Sequence, residues 1–257
     1  MQANAAGVDW CVVPLRCYTA IRAAADAYRL TGGCFDPRVL RVLESIGYDR
    51  SWPLVTASQS VRGAHPPVPV PGDWRVEFDD ERLAVRIGEL PVDLGGIGKG
   101  LALRWASAET VAQCPDFLIE AGGDCYLAGD GPTGDGWQVA VEDPRGTRTP
   151  AAVLTLRDQA CATSSTHVRH WRSGGRDVHH LIDPATGEPA DSGLLSVTVV
   201  EPDPAIAEVW SKVLFLGGRQ QIAATAERLA LAALWVADDG APCWSSRLDS
   251  SVIWRAA

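Results

Sequence analysis

The 257-residue sequence has no apolar run of the length that crosses a membrane, so no transmembrane helix is expected. Its first fifteen residues, MQANAAGVDWCVVPL, lack the charged start and long apolar stretch of a secretory leader. Positive charge is scarce: 23 Lys and Arg stand against 32 Asp and Glu, for a formal net charge of −9. That balance argues against binding nucleic acid through phosphate contacts, and against an anionic membrane surface. A phosphorylated ligand would need a local positive spot within an acidic whole. The sequence also lacks any C-x-x-C pair. Its seven scattered cysteines fit a reducing compartment, where most serve as small buried hydrophobes. A cytoplasmic protein is the expectation.

The remaining composition, 46% hydrophobic and 21% charged, is that of an ordinary globular protein with a sizeable core. Apolar spacing predicts a helix from Leu15 to Arg29, with Ile21, Ala24, Ala25 and Tyr28 on one stripe and Gly32-Gly33 ending it. A second helical stretch runs from Pro37 to Ile46. Residues 56–73, with four prolines, read as a surface connection. WRVEFDD and RLAVRIGEL alternate as strands around a turn at Asp79-Asp80-Glu81. A helix with Leu101, Trp105, Ala108 and Ala112 on one face follows. DFLIEAGGDCYLAG, GWQVAVED, AAVLTLRD and LLSVTVVE read as strands. A helix from Pro204 to Leu216 has Asp203 placed to cap it and Gly217-Gly218 to end it. Another helix near 220–231 precedes the hairpin AALWVADDGAPCWSSRL. Hairpin-like strand pairs with interspersed helices predict an α+β fold with largely antiparallel sheets, taken as one domain over 1–257.

One stretch, DLGGIGKG at 93–100, places four glycines in eight positions with Lys99 between the last two. It is neither a P-loop, which needs Ser or Thr after the Lys, nor a G-x-G-x-x-G dinucleotide fingerprint. Its ingredients are those of an anion site: exposed amides, a helix start and one cation. A tight turn carrying an exposed Lys explains it equally well.

Four further stretches accompany it in order: TGGCFDP at 31–37, AGGDCY at 121–126, ATSS at 162–165 and HLIDPATG at 180–187. Together the five resemble the motifs of the ApbE family, the FAD:protein FMN transferases, from about Cys17 to about Arg247. The resemblance implies an enzyme that cleaves the FAD pyrophosphate, leaves FMN esterified to a Thr or Ser of an acceptor protein, and releases AMP. It implies FAD contacts at Phe35, Asp36, Pro37, Asp93, Lys99 and Ile182. His180 would activate the acceptor hydroxyl, and magnesium would be held by the Gly96 carbonyl and by a helix carrying Asp and, four residues on, Thr. Here those two positions are Glu208 and Lys212. A Glu–Lys pair at that spacing is either a helix-surface pair worth about 0.3 kcal/mol or a Lys standing in the ion's place. The family's leading strand, with a Met-Gly-Thr stretch and a Ser-Arg-Phe segment, is not found. A later-than-true start, and with it a cell-envelope location, stays open.

Two other readings are distinguishable. A flavin-binding protein without transfer would keep Lys99 and tolerate Lys212. A zinc hydrolase would use His167, His170 and Cys161, but residues three apart on a strand face opposite ways.

Overall fold

Continuous apolar strands need cover on both faces, and LLSVTVVE has it. In the computed structural model, which describes residues 2–48, 69, 70 and 72–256, this strand (Leu194–Glu201) lies inside a six-stranded antiparallel sheet. The sheet order is Cys243–Trp244, Ala232–Ala237, Leu194–Glu201, Gln159–Ser165, Asp124–Ala128, Phe117–Ala121. One face packs on a three-stranded sheet of Val252–Arg255, Ala152–Leu156 and Trp137–Val141. Leu127, Cys161, Val200, Leu234 and Val236 meet Val141, Leu154 and Leu156 there. The other face is covered by the Pro204–Gly217 helix, where Ala207 sits on Ala160 and Ala162. The Gly98–Thr110 helix packs beside it. These elements form one compact unit, Ile97–Val168 with Asp191–Ala257.

The second unit comprises Met1–Gly96 and Arg169–Ala190. Its Leu15–Leu30 helix buries Tyr18, Ile21, Ala24 and Ala25, while Tyr28 of the expected stripe is half-buried. A three-stranded sheet has Ala84–Arg86 between Cys11–Val12 and Glu77–Asp79. Two small hairpins follow, His170–Ser173 with Arg176–His179, and Ile182–Asp183 with Glu188–Pro189.

All pairings among the described residues are antiparallel and the class is α+β, as the hairpin-like pattern implies. Asp203 caps its helix by accepting the Ala205 and Ile206 N–H groups, and Gly218 ends it at φ 75°. Three details differ from expectation. The segment before the glycine cluster is not a strand: pairing stops at Arg86, well short of the helix start at Gly98. The face buried by the Gly98–Thr110 helix is Gly100, Leu101, Leu103 and Ser107, with Ala108 and Ala112 exposed, because the neighbouring helix approaches along Gly100. The turn after Asp79 runs on through Leu83, which takes a positive φ of 50°. The proline-rich stretch lies for the most part outside the described residues.

Candidate functional site

The charged centre of the larger unit is assembled by one glycine. At Gly100 a Cβ would stand 2.4 Å from the Pro204 carbonyl oxygen and 2.5 Å from the Ala205 Cα, so only glycine lets the two helices close. The closure brings the Gly100 N–H to Glu208 Oε2 at 2.8 Å. One turn further along the same helix, Lys212 Nζ donates to Glu208 Oε1 at 3.2 Å. Glu208 is 1% exposed and Lys212 17%, so this is no helix-surface pair.

Beside it, Lys99 makes an ion pair with Asp124, the Asp of AGGDCY, whose side chain is 2% exposed. Asp124 Oδ1 also accepts the Thr163 N–H at 2.9 Å, which ties the ATSS strand to the same carboxylate. Burial pushes the Asp124 carboxyl above its ordinary range. Lys99 and, more weakly, Lys212 pull it back, while Glu208 adds to the upward push. Two carboxylates and two ammonium groups therefore share one buried neighbourhood. Lys99 and Lys212 are also the only lysines in the chain, whose other side-chain cations are arginines and histidines.

The remaining sequence-selected residues lie in the other unit. There TGGCFDP meets DLGG directly, the Asp93 N–H donating to the Pro37 carbonyl at 2.6 Å. Phe35 is buried, and its N–H donates to Thr31 Oγ1 at 3.0 Å. Asp36 accepts from the Arg38 N–H and takes its guanidinium on both oxygens, at 3.0 and 2.7 Å. Its carboxylate thus braces the turn. Asp93 Oδ2 accepts the Gly95 N–H at 3.2 Å.

His180 follows a hairpin and lies 6.4 Å, ring to ring, from Tyr48, which stacks on Trp171 at 5.4 Å. Its Nδ1 is 3.4 Å from the Arg169 carbonyl oxygen. Ile182 is buried, and Asp183 turns the chain by accepting from Ala185 and Gly187. His179, the neighbour, is held neutral: Leu181 N–H donates to its Nδ1 and its Nε2 faces the Ala190 carbonyl, while burial lowers its pKa.

The sequence reading placed Lys99, Glu208 and Lys212 among site residues, and the structure brings all three together. It did not single out Asp124, although the Gly-Gly-Asp turn was the available signal. Magnesium asks for near-octahedral oxygens at about 2.0–2.1 Å. Both Glu208 oxygens are already engaged, one by an amide and one by an ammonium, and the position four residues on offers no oxygen. Among the described residues, no cluster of three His, Cys, Asp or Glu is arranged to hold a metal ion. This donor set does not fit magnesium.

Comparison with known proteins places these arrangements. The model of the ApbE family matches residues 1–235. A protein of Salmonella typhimurium named FAD:protein FMN transferase is 29% identical over 157 residues, covering 59% of this chain and 44% of that protein. A protein of the same name from Haemophilus influenzae is 32% identical, over 58% of this chain and 44% of that one. The chain thus spans about half the length of the curated relatives it matches. Among solved structures, an ApbE protein from Thermotoga maritima superposes with a TM-score of 0.82 at 29% identity, over 97% of this chain and 82% of that one. The flavinyl transferase ApbE of Pseudomonas stutzeri, at 22% identity, shares the fold with a TM-score of 0.77 over 97% and 79% of the two chains. With most of its length matched and its motifs folded into one charged centre and one braced loop system, the chain belongs to the ApbE family.

Proposed function

We propose that this chain is a FAD:protein FMN transferase, moving FMN from FAD to a Thr or Ser hydroxyl of an acceptor protein. The observation that carries the reading is Lys99. A family motif sets it on the first turn of a helix, and a buried carboxylate of a second family motif fixes its ammonium.

In the transfer, the acceptor hydroxyl oxygen bonds to the FMN-side phosphorus. The bond from that phosphorus to the bridging oxygen breaks, AMP departs, and the hydroxyl proton passes to His180. An imidazole ring nitrogen can accept that proton. Lys99 neutralises pyrophosphate charge, the larger part of catalysis in phosphoryl-type transfer. An ammonium has three donors, so Lys99 can keep Asp124 and still face a phosphate oxygen. Phe35, Asp36, Pro37, Asp93 and Ile182 shape the flavin-binding loops of their own unit. The Gly96 carbonyl and Glu208 are the magnesium positions of the resemblance; because the donor set does not fit the ion, no step here runs through a metal.

Incubation of the chain with FAD and an extract of its source cells tests the reading. A covalently fluorescent band in a denaturing gel, with AMP seen by chromatography, is expected, and both should vanish in His180→Ala. FAD bound with neither product would make the chain a flavin-binding protein without transfer.

A further inference from the structure

Glu208 is a buried carboxylate with one oxygen on an amide N–H and the other on Lys212. We propose that Lys212 is a resident cation: its ammonium holds the Glu208 oxygen that a divalent ion would take, and the chain meets a ligand's phosphate charge with Lys212 and Lys99 instead of a metal. Three observations support this.

Lys212 is mostly enclosed, which a long cationic side chain adopts only against a partner. Its charge reaches beyond Glu208 to Asp124, the carboxylate that holds Lys99, so the two ammonium groups serve one centre. Finally, the chain uses lysine nowhere else. Arginine is a broad planar fork and lysine a compact point charge. A chain that fills its other sites with arginine retains lysine at the two places where a compact cation must sit beside a buried carboxylate.

Charge counting agrees. Lys99 and Lys212 balance Asp124 and Glu208, so the centre is neutral before any ligand arrives. Adding a divalent ion would put two further positive charges against an ammonium that cannot leave its helix. The repulsion is a Coulomb term in a partly dry site, where charges are weakly screened.

The inference rests on reading this centre as the one that meets the FAD pyrophosphate, yet its metal half can be measured without flavin. Mn2+ is titrated into the full chain and the free ion followed by electron paramagnetic resonance. The wild type should leave Mn2+ free into the millimolar range. The variant Glu208→Asp with Lys212→Thr, which supplies two oxygens one turn apart, should bind it.

In a second measurement, inorganic pyrophosphate is titrated in the presence of EDTA. The wild type should bind it, and Lys212→Gln should bind about 10- to 100-fold more weakly, the effect of losing one charge-assisted hydrogen bond. Circular dichroism melts confirm that each variant is folded, and Lys212→Met serves if Lys212→Gln is not. Mn2+ bound alike by wild type and double variant would overturn the proposal, as would pyrophosphate affinity unchanged by Lys212→Gln. Failure of the transferase reading looks different: FAD yields no AMP, while Mn2+ exclusion and pyrophosphate binding persist.

Discussion

Replacing Lys99 with Met removes a charge and leaves most of the side-chain volume. What it strands is Asp124, at 2% exposure, with the Thr163 N–H as its remaining fixed partner. Breaking a fully buried ion pair costs about 3–5 kcal/mol, because the orphaned charge stays in a poor solvent. Lys99 is 26% exposed, so water can enter where its ammonium was, and the expected loss is about 2–4 kcal/mol. Urea unfolding at fixed pH measures it.

The pH dependence has a definite sign. Burial already raises the Asp124 pKa, and removing Lys99, a lowering influence, raises it further. A carboxyl whose folded pKa exceeds its unfolded value, about 3.9, is relatively stabilised below that value and loses stability as pH rises through the folded one. The deficit of Lys99→Met should therefore be larger at pH 8 than at pH 5. Adding Asp124→Asn should recover most of it, since the stranded charge is then gone. A loss under about 0.5 kcal/mol, with no coupling in the double-mutant cycle, would show that the pair does not form.

Gly100→Ala should destabilise by about 1–3 kcal/mol or more, because the added Cβ meets Pro204 and Ala205 backbone that cannot rotate away. Denaturant unfolding checks it, and a neutral result would mean the helices are further apart than described. His179 is lowered in the folded chain by burial, so the unfolded chain binds a proton first as pH falls below about 6.5. Its stabilisation should be complete above that pH and lost below it, and the slope of melting temperature between pH 7 and 5.5 should flatten in His179→Gln.

The elements that were legible in the sequence are those whose signals are local. Asp203 with Pro204 announces a helix start, and Gly217-Gly218 its end, because capping chemistry is contained within a few residues. LLSVTVVE reads as a strand from its own run of residues, and the fold buries it on both faces. The face of the Gly98–Thr110 helix was misread because Ala108 and Ala112 carry so little apolar surface that periodicity barely weighs them. The neighbour that decides the face lies a hundred residues on, at Pro204 and Ala205. Asp124 is not singled out, for the same reason: its partner Lys99 is 25 positions away, and only the packing of the Gly98–Thr110 helix on the Asp124–Ala128 strand brings them together.

The glycine stretch at 93–100 shows why local reading stops where it does. A cluster of glycines signals close approach without saying of what. Read alone, it fits an anion site and a tight turn equally well. In the fold its members separate: Gly95 donates its N–H back to Asp93, and Gly100 admits a second helix. A Cβ at Gly98, by contrast, would meet nothing within 4 Å. Close packing at Gly100 is also what delivers its N–H to Glu208. Gly100 acts at a distance, by letting a helix come near enough to place one carboxylate and, one turn later, one ammonium. A larger residue at 100 would therefore disturb the charged centre without touching any ligand, and affinity for pyrophosphate should fall together with stability when that position is changed.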